Sequence, residues 1–231
     1  MTGRDVLRYA VWGLVAFTAN ANRRHYRMTT TWLPHLTANS ISLLLPDALR
    51  LLLRRPHPRN PVEAIVMRMA RDNPHYVLYV TPLAAGYILS HPRFNIYKGE
   101  WAELRWMGFG LDSIPHTATA MAFTALVHDS LRVVSNVDTS PGLLGRLIDW
   151  AAKRSGLVSF ILLALVTLVW EYGEYRVHKR ELALRGDITL INMQWSVEDT
   201  RKDVISNLIG WVLGLLLHRV ERRLKLATVP E

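Results

Sequence analysis

The chain has no cysteine among its 231 residues. This absence excludes disulfide bonds and metal sites with thiolate ligands, and it leaves the redox compartment undetermined. The sequence also lacks a glycine-rich phosphate loop, a nucleophile-elbow serine motif and an HExxH zinc pair. The usual signatures of a catalytic site are therefore missing, and the sequence leaves open whether the protein is an enzyme.

Charged residues are missing from six long stretches of the chain. Half of all residues are apolar and 20% are charged, and the mean hydropathy of +0.09 is ordinary for a soluble helical domain, so the distribution matters more than the average. The stretches without Asp, Glu, Lys or Arg are Tyr9–Asn22, Met28–Pro46, Asn73–Pro92, Ser113–His128, Ser155–Trp170 and Val204–His218. Crossing a bilayer takes roughly 20 residues, and aromatic or basic residues at the ends can extend a shorter span. The pattern predicts an all-α, polytopic transmembrane helix bundle with about six crossings, in one integral membrane domain covering residues 1–231.

The first two stretches each allow a second interpretation. Pro46 and Asp47 interrupt the leucine-rich end of the second stretch, which could instead lie flat in the interface as an amphipathic helix. The basic N-terminus, the apolar run Ala10–Thr18 and the small triplet Ala19–Ala21 resemble a secretory signal with its cleavage site. The alternative is that the first crossing is retained.

The excess of basic residues favours a lipid partner over a nucleic acid. The formal net charge is +9, but Lys and Arg are scattered among the loops instead of forming one stripe. Attraction to the anionic head groups of a lipid bilayer explains such a distribution, and no nucleic acid is expected as a partner. With six crossings, the side that holds both termini carries more of the basic loop residues, which favours termini in the cytoplasm.

Polar clusters lie where the last three apolar stretches begin or end. The clusters are Asp112 with His116, Glu171 with Glu174, and Asp199 with Asp203 and Asn207. Two consecutive crossings return the chain to the same face of the membrane, and residues three or four apart share one face of a helix. The last cluster continues into Gly210 and Gly214, a small-xxx-small pair that lets another helix approach closely. The sequence therefore predicts a compact polar pocket at one membrane face, because ionisable groups at membrane depth usually mark a functional site.

A plainer interpretation exists for most of these residues. The three aspartates could each stabilise a helix N-terminus, and the histidine could be a structural one. Glu171 and Glu174 fit that interpretation less well, because they directly follow an uncharged run. No Lys or Arg occurs between Arg154 and Arg176 to pair with them locally.

The side chains of these clusters suit acid–base chemistry or cation binding. Glu171 and His116 are the candidate catalytic residues, with Glu171 as the general base. The candidate binding residues are Asp112, Glu174, Asp199, Asp203 and Asn207. Because carboxylate oxygens and imidazole nitrogens are common metal ligands, Asp112, His116 and Asp203 are candidate ligands for a divalent metal ion.

At these positions the sequence resembles the VanZ-like membrane proteins and a neighbouring uncharacterised family of six-helix bacterial inner-membrane proteins. The resemblance covers about residues 76–217. It depends on Asp-x-x-x-His at Asp112 and His116, on Glu-x-x-Glu beginning at Glu171, and on Asp-Thr-x-x-Asp-x-x-x-Asn-x-x-Gly beginning at Asp199.

The resemblance implies an architecture more than a reaction. It implies a multi-pass protein of the bacterial plasma (inner) membrane, and VanZ-like proteins are associated with low-level resistance to glycopeptide antibiotics. Ser113 stands where the family signature has a basic residue, which puts a family charge pair at that position in doubt. Glu174 stands where many members carry Gln or another polar group.

Three functions are consistent with these features. The first is a polar pocket that binds or acts on an amphiphilic cell-envelope molecule, such as a lipid or a lipid-linked precursor. The second is a non-catalytic structural or assembly subunit that packs against other membrane subunits. The third is a small proton-coupled transporter, which is disfavoured because Val158–Val169 offers only Ser159 and Thr167 as polar groups for a path across the membrane.

Overall fold

The computed structural model describes residues 3–27, 32–55, 57–73, 75–137, 142–191 and 194–227, with side chains except at positions 61, 136, 137, 144, 189 and 221–227. Met28, the first residue of the second uncharged stretch, lies outside these ranges. Most of the described residues are helical, which confirms the predicted all-α class.

The described residues form nine α-helices. These are α1 (Gly3–His25), α2 (Trp32–Leu52), α3 (Pro61–Val66), α4 (Tyr76–Ile88), α5 (Glu100–Glu103), α6 (Ser113–Val137), α7 (Leu143–Lys153), α8 (Ser155–Arg185) and α9 (Val197–Ala227). A π-helical turn over Met67–Arg71 follows α3, and a 3₁₀ turn covers Ile188–Leu190.

A small hairpin is the only sheet in the part of the chain that the structure describes. Strand β1 (Arg105–Trp106) pairs antiparallel with β2 (Phe109–Gly110). The two connecting residues, Met107 and Gly108, both have positive φ angles, of 49° and 84°. Such a two-residue turn matches the twist of the paired strands, and glycine adopts it at little cost.

The six long helices α1, α2, α4, α6, α8 and α9 run alternately up and down. At one end of the bundle, Asn22 near the end of α1 donates a hydrogen bond to Ser90 Oγ, just after α4, over 3.1 Å. At the other end, Tyr76 at the start of α4 donates to the carbonyl oxygen of Ser42 in α2. Helix α6 lies centrally and packs against α4, α8 and α9. This arrangement brings the start of α6, the middle of α8 and the start of α9 to the same end.

Helix α2 continues through Pro46 without a break. Leu43 is fully buried with Val11 and Val15 of α1 and Ala84 of α4. The acidic residue that interrupts the apolar pattern, Asp47, accepts hydrogen bonds from Arg8 of α1 over 2.6 and 3.0 Å. The structure thus places α2 within the bundle, and the flat interfacial helix considered from the sequence is not observed.

Two helices of the described chain are long and apolar enough to cross a membrane. They are α8 and the part of α9 from Val197 to Val220, and only 22% of the most apolar window of each is buried. A core helix of a soluble protein would be mostly buried, so the exposure of these two helices suggests association with a membrane. Helix α4 has 13 residues and is about 20 Å long, shorter than the roughly 30 Å of hydrocarbon.

Helices α6 and α9 touch through their backbones. A Cβ atom added to Gly210 would lie 2.3 Å from the carbonyl oxygen of Thr117 and 2.7 Å from the Cβ atom of Ala120. One added to Gly214 would lie 2.9 Å from Thr124 Cβ. The two glycines therefore permit a helix–helix distance that any larger residue would widen.

Candidate functional site

A cavity of about 240 Å³ lies among α2, α4, α6, α8 and α9, at the end of the bundle where the polar clusters meet. Most of the residues singled out from the sequence line it. These are Asp112, His116, Glu174, Asp199, Asp203 and Asn207. Glu171 lies behind this lining, buried between α8 and α9.

Three acidic side chains approach one another closely at this end of the cavity. Glu171, Glu174 and Asp203 can each offer one carboxylate oxygen such that these atoms all lie within 4.8 Å of one another. Glu171 is 8% exposed and Asp203 is 4% exposed, while Glu174 is half-buried. We refer to these three residues as the carboxylate cluster.

The carboxylate cluster has few partners. Thr200 Oγ1 donates a hydrogen bond to Glu171 Oε2 over 2.5 Å. His116 Nε2 lies 3.5 Å from Asp203 Oδ1, and this buried oxygen has no hydrogen-bond partner within the described residues. The amide of Asn207 donates to Thr167 Oγ1 over 3.0 Å, which joins α9 to α8 beside the cluster.

Two of the aspartates also serve the helix ends that carry them. Asp112 Oδ1 accepts a hydrogen bond from the backbone N–H of Ser113 over 3.0 Å, at the start of α6. Asp199 follows Ser196, whose Oγ accepts from the Asp199 N–H over 3.1 Å and caps α9. The Asp112 carboxylate therefore accepts a backbone N–H at a helix start, whereas the Asp199 carboxylate lies in the first turn of α9, where the helix dipole favours a negative charge; both also line the cavity.

The structure groups a different set of possible metal ligands from the one predicted. Asp203 belongs to both sets; it groups with Glu171 and Glu174, and the predicted ligand His116 also lies 3.5 Å from its Oδ1 atom. Asp112 is held at the start of α6 by its contact with Ser113, one helical turn before His116. The sequence did not single out the two glutamates as ligands, because it does not show which residues of α8 and α9 lie opposite one another. That pairing depends on how the two helices pack.

The far side of the cavity consists of residues that the sequence analysis did not select. They are His35 and Asn39 on α2, Tyr87 on α4, and Ser90, Asn95 and Tyr97 in the segment after α4. The ring of His35 stacks on Tyr87 with 5.3 Å between centroids. The spacing of four between His35 and Asn39 places both on one face of α2. This polar pair within an apolar stretch is the sequence feature that could have indicated their place in the cavity.

Tyr97 faces the carboxylates from the far side of the cavity. Its hydroxyl donates a hydrogen bond to the carbonyl oxygen of Gly86 over 3.2 Å, and its backbone N–H donates to Asn95 Oδ1 over 2.9 Å. Burial, and then the nearby carboxylates of Asp112 and Asp203, hold the pKa of Tyr97 well above its usual range. The phenol therefore remains protonated and available as a hydrogen-bond donor.

The lining changes character along the cavity. Carboxylates and His116 form one part, while Leu83, Leu163 and Val166 contribute apolar surface. The described lining contains no Lys or Arg. Such a site can hold a molecule that has both a polar end and an apolar end.

No family model matches the chain, and no curated protein or solved structure matches it. The resemblance to VanZ-like proteins therefore stays a prediction from short motifs around Asp112, Glu171 and Asp199.

Proposed function

We propose that this protein is a VanZ-like, multi-pass protein of the bacterial plasma membrane that binds or acts on an amphiphilic cell-envelope molecule. The observation that carries the proposal is the cavity, in which carboxylates at one end adjoin apolar side chains such as Leu163 and Val166. A lipid or a lipid-linked precursor has the matching division into a polar head and an apolar chain.

The exposed surface supports about six crossings in this proposal. Each of the six uncharged stretches falls mainly within one long helix, and the outward faces of α8 and α9 are apolar. Aromatic and apolar residues also lie near the polar end of the cavity, where Trp101, Trp106 and Met107 are exposed around the hairpin. Tryptophan is enriched at membrane–water interfaces, so these residues fit a site at the boundary of one leaflet.

The charge of the cavity favours a polar end that carries hydrogen-bond donors. The lining includes four carboxylates and no Lys or Arg, and the two nearby bases, Arg105 and Lys202, act on Asp199. The carboxylates are Asp112, Glu174, Asp199 and Asp203. An amine or a group of hydroxyls complements these acceptors, whereas a bare phosphate would be repelled. The first probe of the proposal is therefore a long-chain alkylamine.

A photoreactive alkylamine tests the proposal in nanodiscs. Val166→Trp should fill the apolar part of the cavity and reduce diazirine labelling of cavity residues by about tenfold, since a site that loses its apolar contacts loses roughly 1.4 kcal/mol or more. Labelled peptides are identified and quantified by mass spectrometry after irradiation.

The matched control is Leu168→Trp on the same helix. Leu168 is 66% exposed and does not line the cavity, so its replacement should leave the labelling unchanged. Labelling spread evenly over the outer faces of α8 and α9 in all three proteins would refute an occupied cavity. That result would favour the structural-subunit interpretation instead.

A further inference from the structure

The charge of the carboxylate cluster is not balanced by the described side chains around it. The facing charged or titratable groups are Asp112 and His116 from α6, Asp199 from α9 and Tyr97 from the segment after α4, in addition to the cluster itself. Two bases, Arg105 and Lys202, act on Asp199. The nearest base along α9, Lys202, pairs with the exposed Glu198 over 3.3 Å. Like charges at this separation repel strongly where water is scarce, so the cluster must take up either protons or a counter-charge.

Asp203 provides a second and independent indication of a ligand. Its side chain is nine-tenths or more buried, it lines the cavity, and its Oδ1 atom has no hydrogen-bond partner in the described chain. A buried charged oxygen without a partner is costly, and native proteins usually satisfy such atoms. The unsatisfied oxygen belongs to the same set that approaches within 4.8 Å of Glu171 and Glu174.

We propose that Glu171, Glu174 and Asp203 bind one divalent cation of the Mg²⁺, Mn²⁺ or Ca²⁺ class. Oxygen ligands lie about 2.0–2.6 Å from such ions, so two ligands of one ion are at most about 5 Å apart, which agrees with the cluster. A set of three carboxylates without a thiolate favours these hard cations over softer metals. His116, 3.5 Å from Asp203 Oδ1, lies where it can orient that carboxylate.

The cation would change which molecules the cavity accepts. Three carboxylates repel a phosphate, but a divalent ion bound to them leaves coordination positions that a phosphate oxygen can occupy. The cation site itself goes beyond the proposed amphiphile binding and does not depend on it, because the three ligands are side chains of the protein. A phosphate-bearing head group then becomes as suitable as an amine.

Binding of Mn²⁺ alone tests this site. The full chain, stripped with EDTA and placed in nanodiscs of zwitterionic phosphatidylcholine, should bind one Mn²⁺ per chain, measured as loss of the free-ion signal in electron paramagnetic resonance. Mg²⁺ or Ca²⁺ should displace it. Asp203→Asn and Glu174→Gln should each weaken the affinity by about tenfold to a hundredfold, because each removes a charged ligand.

Glu198→Gln is the matched control. Glu198 lies on the same helix as Asp203 but is exposed and paired with Lys202, so its replacement should leave Mn²⁺ affinity unchanged. No binding by the unmodified chain, or equal binding by the chain and by Glu174→Gln, overturns the proposal. Glu174 is half-buried, so the Glu174→Gln variant decides the question if size-exclusion chromatography shows that Asp203→Asn does not fold.

Mn²⁺ binding is measured without the alkylamine, and labelling by the alkylamine is measured with EDTA present, so either proposal can fail alone.

Discussion

Replacement of Gly210 by alanine should destabilise the protein by roughly 3 kcal/mol or more, the upper range for overpacking a close contact. The added methyl group would lie 2.3 Å from the backbone carbonyl oxygen of Thr117 and 2.7 Å from the Cβ atom of Ala120. A backbone atom cannot move aside as the end of a flexible side chain can, so α6 and α9 must separate. Thermal unfolding followed by circular dichroism in detergent measures the loss.

Gly173→Ala separates this steric effect from the intrinsic preference of helices for alanine. Gly173 lies within α8, and a Cβ atom added there would meet nothing within 4 Å. Alanine should therefore be neutral or stabilising by up to about 1 kcal/mol at this position. A similar loss of stability in both variants would show that the close contact at Gly210 is not the cause of the loss.

Replacement of Arg8 by methionine should cost about 1.5–3 kcal/mol of folding free energy, because it removes charge-assisted hydrogen bonds between a buried guanidinium and the partly exposed carboxylate of Asp47. Arg8 is 3% exposed and donates hydrogen bonds to both carboxylate oxygens of Asp47 and, over 2.6 Å, to the carbonyl oxygen of Leu43. Methionine keeps the apolar stem but leaves the carbonyl oxygen of Leu43 without this donor, and Asp47 retains the longer 3.4 Å contact from Arg50. The midpoint of chemical denaturation in detergent gives the change.

Two further variants define the origin of that loss. Arg4→Met removes an exposed arginine from the same helix and should change stability by less than about 0.5 kcal/mol. The double variant Arg8→Met with Asp47→Leu should recover most of the stability, because it removes both charges together. If the double variant is as unstable as Arg8→Met alone, the packing volume of Arg8 matters more than its charge.

The sequence predicts the positions of the helices better than the contacts between them. Uncharged stretches locate the long helices, because a run such as Ser155–Trp170 must satisfy its backbone N–H and C=O groups by hydrogen bonds within the segment, as a helix does. The return of the chain after two crossings also indicates that Asp203 and Glu171 lie at one end. Those inferences need only helical periodicity and the direction of the chain.

Contacts between distant helices require the packed structure. Asp47 reads as an interruption of α2 until Arg8, 39 residues earlier, is placed opposite it. His35 and Asn39 form a polar pair in the sequence, but their place in the cavity depends on how α2 packs beside α4. Asp203 groups with Glu174 because of the way α8 and α9 are aligned along their axes. No local sequence pattern encodes that alignment.

The glycine contact between α6 and α9 has a consequence for the chemistry at the cavity. Gly210 lies two helical turns beyond Asp203, and it touches Thr117, the residue that follows His116. The main-chain positions that carry the imidazole and the carboxylate are thus held by backbone atoms, which have no rotamers to exchange. Exchange of neighbouring rotamers should therefore leave the spacing of these two main-chain positions almost constant, as the support of a site with fixed geometry requires.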